Sequence, residues 1–176
     1  MMEYRDATRH DIGAIATLHA ESWRRNYRGA YADRFLDGDV VTDRLIAWTD
    51  RLMRLRPDHH TVVAEHEDEI VGFVHTIFDH DPTWGALLDN LHVTHTLTGR
   101  GIGTRLMAAT AAAIVDRTPS TGMYLWVLEV NRAARAFYEA RGGRPVGREV
   151  SEAPGGGEIV GLRYAWLEPS DLLDGQ

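Results

Sequence analysis

The residues best suited to hold a charged ligand stand together at Thr98-Gly99-Arg100-Gly101-Ile102-Gly103-Thr104. An apolar, β-branched run that includes Leu91, His92 and Val93 stops there, and a helical pattern starts inside the same segment. A strand-to-helix turn of this kind points free backbone N–H groups at one spot, and the helix N-terminus adds partial positive charge. Together they form a site for phosphate or pyrophosphate. Glycines at 99, 101 and 103 let an anion approach without Cβ interference. The spacing G-x-G-x-G is neither the dinucleotide fingerprint nor a P-loop, since no Gly-Lys-Ser/Thr follows. Taken alone, the turn is equally well explained by close packing.

A second segment adds to the first. Tyr124 to Val130 reads as a strand, Asn131 stands in N-cap position, and the following helix ends at Gly142-Gly143. With both segments in view, the chain resembles the GCN5-related N-acetyltransferase (GNAT) superfamily. That family carries Arg/Gln-x-x-Gly-x-Gly/Ala after its fourth strand and Asn-x-x-Ala-x-x-Phe-Tyr-x-x-x-Gly after its fifth. The second motif is complete at Asn131, Ala134, Phe137, Tyr138 and Gly142. The first is matched at Gly101 and Gly103, with Thr98 where Arg or Gln is usual. Gly143 replaces the aromatic that commonly follows the last glycine. The motifs cover about residues 86–147; the rest matches in element order only.

The resemblance implies an α/β fold of the GNAT (acyl-CoA N-acyltransferase) type. Its central sheet is mixed and mostly antiparallel, helices flank it, and strands four and five splay apart. It also implies acetyl transfer from acetyl-CoA to a primary amine, with no metal. By that match, Thr98 to Thr104 hold the pyrophosphate. Backbone groups of Leu91, His92 and Val93 meet the pantetheine, and Asn131 and Ala134 lie beside it. Tyr138 stands at the family's acid position.

An alkylamine is protonated at neutral pH, so a base, or water wired to one, must take a proton. Strict strand alternation puts Asp89 on one face with Leu91 and Val93, and His92 on the other with Asn90 and Thr94. Asp89 therefore ranks first as base, then Glu129, then His92. Glu21, Trp23, Tyr27 and Tyr31, after the first helix, are expected to border the acceptor. The expected acceptor is small and cationic. A protein N-terminus or lysine is an alternative, and a non-catalytic acyl-CoA sensor is an alternative of another class.

Composition sets limits. The chain has 176 residues, 44% of them hydrophobic, which suits one domain over 1–168 with a frayed tail at 169–176. It has no cysteine, so disulfides and thiolate chemistry are excluded. The net charge of −7 argues against a nucleic-acid surface, and the apolar runs are too short for a membrane span. Met1 to Asp11 is charge-rich and lacks a signal-peptide core, so a cytoplasmic location is expected. Room for a homodimer remains. The histidines carry no metal-binding motif. Seven acids and no arginine stand between Glu65 and Asp89, either a solvated hairpin or an acidic rim for a cationic amine.

The elements that must position these residues follow from periodicity and breakers. Strands are expected at Glu3 to Ala7, Thr61 to His66, Ile70 to Phe78, Ala86 to His95, Met123 to Val130, Pro145 to Val150 and Glu158 to Leu167. Helices are expected after Thr8 or Asp11, from about Asp39 to Leu55, from Gly101 to about Arg117, and from Asn131 to Arg141.

Overall fold

A computed structural model describes residues 1–54, 56–117 and 122–173. Seven strands form one sheet: β1 (Met2–Asp6), β2 (His59–His66), β3 (Glu69–Asp81), β4 (Gly85–Val93), β5 (Met123–Leu128), β6 (Arg144–Glu152) and β7 (Glu158–Trp166). Their order is β1-β2-β3-β4-β5-β7-β6. Four helices flank it: α1 (Ile12–Asn26), α2 (Val40–Met53), α3 (Ile102–Arg117) and α4 (Arg132–Glu139). The architecture is the expected GNAT fold.

The β4–β5 pair is the feature that makes a site. It is the sheet's parallel pair, and its ladder holds only Ala86 with Met123 and Leu87 with Tyr124. Beyond that point β5 stays paired with β7 and β4 with β3, so the two strands part. The β5-facing backbone edge of β4 is therefore open along residues 88–93.

One face of the sheet carries Leu88, Val74, Leu125 and Tyr164, packed under Ile102, Leu106 and Met107 of α3. The other packs Val63 and Phe73 under Ile15 and Leu18 of α1 and Trp48 of α2. The approach to α1 is set by Thr8 and Asp11, which form a reciprocal capping box. Arg5 holds the Asp11 carboxylate with two hydrogen bonds of 2.9 Å.

Several expectations shift. The fourth strand ends at Val93, and a short 3-10 turn (His95–Leu97) precedes the glycine turn. The fifth ends at Leu128, and a π turn at Phe35–Asp39 leads into α2. The tail is docked at its start: Pro169–Leu172 forms a 3-10 turn, with Pro169 buried and Leu172 against the core. The acidic run does not form one rim. Glu67 and Asp68 occupy the β2–β3 turn, and Asp81 begins the β3–β4 turn at the opposite end of that hairpin.

Candidate active site

One end of the splayed cleft is built by the β4–α3 turn. Gly99 and Gly101 have φ of +79° and +81°, a region that L side chains rarely adopt. A Cβ at either would meet open space. Gly103 has another reason: a Cβ there would lie 3.2 Å from the Phe137 ring of α4. Two of the three glycines thus shape the turn, and the third lets α4 pack against α3. Thr98 turns inward, its hydroxyl donating to the His95 carbonyl at 2.9 Å. Arg100 is exposed beside the turn. The Thr104 hydroxyl accepts hydrogen bonds from Arg141.

Three adjoining cavities form a track through the cleft. The first, about 180 Å³, is lined by Leu91, Val93, Thr98, Gly99, Ile102, Gly103, Ala134, Phe137 and Tyr138. It shares Leu91, Val93, Thr98, Ala134 and Tyr138 with a central cavity of about 250 Å³, which also touches Ser22, Asp89, His92 and Asn131. That in turn shares Tyr27, Asp89, Asn90, Trp126 and Val127 with a third of about 290 Å³. Trp23, Tyr31, Glu149, Ser151 and Gly161 complete the third wall. Tyr138 stands where the first meets the centre, and Asp89 and Tyr27 where the centre meets the third.

Asn131 caps α4, its side-chain oxygen accepting from the Ala134 N–H at 3.2 Å. The cap begins α4 beside the cleft, and Tyr138, one turn beyond Ala134, then lines the same side. The Tyr138 ring packs edge-on to Phe137 and Trp166, at centroid distances of 5.4 and 6.1 Å. Burial raises the Tyr138 phenol above its ordinary 10.0 and does the same to Tyr27. Both keep their protons at neutral pH.

The alternation expected for β4 is broken. Leu88 pairs with Thr76 and Asn90 with His75, so Asp89 is the extra residue of a β-bulge. Asp89 therefore shares a side with Asn90 and not with Leu91 and Val93. Arg51 of α2 clamps both, at 2.7 Å to the Asp89 carboxylate and 2.6 Å to the Asn90 side chain. Asp89 nevertheless borders the central cavity, now from the α2 side. His92 also lines it, with Nδ1 2.7 Å from the Ser22 hydroxyl. Glu129 lies apart, its carboxylate paired with Arg148 of β6 at 3.2 Å. Glu21 faces another hollow with Thr94 and His95, which adjoins the central cavity at Ser22, Asn26, Val93 and Thr98.

Three histidines beneath the cleft are held neutral. Burial lowers His75 to about 2 and His92 to about 3, and drives His19 well below 6.5. Trp48 donates its indole N–H to His19 Nδ1 at 3.0 Å, and the His19 ring lies 4.5 Å from that of His92. In the unfolded chain these imidazoles take up protons near 6.5, and in the fold they do not. Unfolding then binds protons on the acidic side, so stability falls with pH. Urea midpoints are expected to be flat above about pH 7 and to decline steadily below about 6.5. Midpoints unchanged from pH 7 to 5 would contradict the neutral cluster.

Sequence reasoning missed Trp126, Asn90, Glu149, Ser151, Ser22 and Arg51. Trp126 alone carried a signal, as the outward residue between Leu125 and Val127 of a core strand. Asn90 enters through the β4 bulge, and Ser22, Arg51, Glu149 and Ser151 come from α1, α2 and β6, which meet the cleft only through tertiary packing.

A parallel strand pair that parts around a cleft, closed at one end by a glycine turn on a helix N-terminus, defines an acyl-coenzyme A acyltransferase. The chain belongs to the GNAT acetyltransferase family: the family model described as Acetyltransferase (GNAT) family matches residues 14–143. It is an acetyl-CoA-dependent N-acetyltransferase. No curated protein matches the chain. Among solved structures it is similar to the PaiA N-acetyltransferase of Thermoplasma acidophilum in complex with coenzyme A (TM-score 0.65, 18% identity, 94% of this chain and 99% of that one). A GCN5-related N-acetyltransferase of Rhodopseudomonas palustris gives a TM-score of 0.72 at 18% identity, over 93% of each chain. NAA60 of Arabidopsis thaliana, in complex with a bisubstrate analogue, gives 0.64 at 19% identity, over 94% and 97%. Identities this low speak to the fold alone. Among the described residues, no helix is long and apolar enough to cross a membrane, and no group of three His, Asp or Glu could hold a metal.

Proposed function

We propose that the protein acetylates a small, cationic primary amine by direct transfer from acetyl-CoA. The observation that carries this reading is the third cavity, small and walled by aromatic rings. Nearby, the β6–β7 turn is tied to the segment before α2. A Cβ at Gly155 would lie 2.6 Å from that of Phe35, Ala153 is buried against the same cluster, and Arg34 donates to the Gly155 carbonyl at 3.2 Å. A cavity of about 290 Å³ suits a small acceptor better than the long groove that an extended polypeptide needs. Trp23, Tyr27, Tyr31 and Trp126 offer aromatic walls to an ammonium, and Glu149 adds a carboxylate.

In this reading the acetyl-CoA pyrophosphate rests on the Thr98–Thr104 turn, and the pantetheine follows the open edge of β4. A backbone N–H of that edge polarises the thioester carbonyl. The amine loses a proton through water to Asp89, attacks the carbonyl, and expels the thiolate. Tyr138 donates to the departing sulfur. Glu129, expected as an alternative base, lines none of the three cavities and is paired with Arg148. His92 is neutral, but its low proton affinity makes it a poor acceptor.

Asp89→Asn keeps the side chain's size. It should lower turnover and remove the acidic limb of the pH–rate profile, with acetyl-CoA affinity nearly unchanged. A wild-type profile in this variant would exclude Asp89. The acceptor class is tested by supplying small di- and monoamines beside short peptides. Faster acetylation of peptide N-termini or lysines would reverse the preference for a small acceptor.

A further inference from the structure

We infer that Arg141, just past α4, supplies to a phosphate group of coenzyme A the positive charge that the β4–α3 turn lacks at Thr98. The inference rests on the family's coenzyme, not on the choice of acceptor, base or acid. Thr98 is uncharged, and its hydroxyl is spent on the His95 carbonyl. Arg141 reaches the same turn from the other side. Its Nε donates to Thr104 Oγ1 at 3.0 Å and its Nη2 to the same atom at 2.5 Å. Nη1 donates to the Phe137 carbonyl at 2.8 Å. The guanidinium also lies over the Phe137 ring, 3.6 Å from its centroid. That ring is itself fixed against Gly103.

A cation is thereby locked at the first turn of α3. It faces the positive end of the helix dipole, where a cation is disfavoured. Among the described residues it has no ion pair. Partial burial also works against its charge. An anion bound at this turn relieves all three. The geometry leaves the means: three of the five guanidinium N–H groups are engaged within the protein, and two are available. The Thr104 oxygen accepts from Arg141, so its own O–H is available to a phosphate oxygen.

The test is calorimetric binding of coenzyme A, 3′-dephospho-coenzyme A and phosphate-free pantetheine to wild type, Arg141→Gln and Arg141→Lys. Losing one charge-assisted contact should weaken coenzyme A binding to the Gln variant by about tenfold and flatten its salt dependence. Pantetheine should bind it as it binds wild type, and Lys should recover part of the loss. An equal loss with 3′-dephospho-coenzyme A assigns the contact to the pyrophosphate. No loss with that ligand assigns it to the 3′-phosphate. Wild-type affinity and salt dependence in Arg141→Gln would overturn the inference. So would an equal loss for pantetheine, which would mark Arg141 as a packing residue.

Discussion

Tyr138→Phe should fold normally, bind acetyl-CoA nearly as well as wild type, and turn over roughly 100-fold more slowly, the low end for a positioned acid. The substitution keeps the ring and with it the contacts to Phe137, Tyr164 and Trp166. Only the hydroxyl is removed, at the point where the coenzyme end of the track meets its centre. That position follows from the helix. Asn131 fixes the first turn of α4, Ala134 lines the cleft, and Tyr138 follows one turn further on the same face. The raised pKa keeps the phenol protonated throughout the working range, so its O–H is present as a hydrogen-bond donor when the thiolate departs. Thermal midpoint and steady-state rate on the best amine should both be measured. A fully active variant would remove Tyr138 from the mechanism. A much lower midpoint with unchanged kinetics would make it a core residue only.

Gly101→Val should weaken acetyl-CoA binding at least about tenfold while leaving the protein folded. Gly101 holds φ at +81°, where a β-branched residue is strained by an amount of order 1–2 kcal/mol. That much is enough to make the turn relax to another conformation, which turns its amides away from the phosphates. Nothing lies within 4 Å of a Cβ at this position, so the change does not disturb the core. The added bulk instead enters the space the anion must occupy. Gly103→Val is less clean, because it pushes Phe137 and α4 before it reaches the ligand. Calorimetry giving unchanged affinity in folded Gly101→Val would place the phosphates elsewhere.

Local chemistry made the glycine turn and the start of α4 readable from the sequence. The glycine turn, the Asn131 cap and the Ala134–Tyr138 spacing are short-range features, and the structure brings them to one cleft. Where long-range pairing decides, alternation failed. Asp89 changed sides because β3 and β4 differ by one residue in register, and no local signal marks that bulge. The acidic run looked continuous because sequence proximity hides that a hairpin sends its two ends in opposite directions. Glu21 lies on α1 but faces outward, two residues from Trp23, which faces in. The cavity walls from β6 and the Arg51 clamp from α2 depend on packing between distant segments, so they were invisible until the fold was known.

Transfer of acetyl from acetyl-CoA to an amine is the activity assigned to the cleft. Its most direct test is one experiment on the wild-type protein, following free thiol and acetylated amine together across a panel of small primary amines. Thiol release that depends on the amine and equals the acetylated product one for one is the expected result. Saturable acetyl-CoA binding with no amine-dependent thiol release, for any amine or peptide, would contradict it and leave a protein that binds the coenzyme without using it.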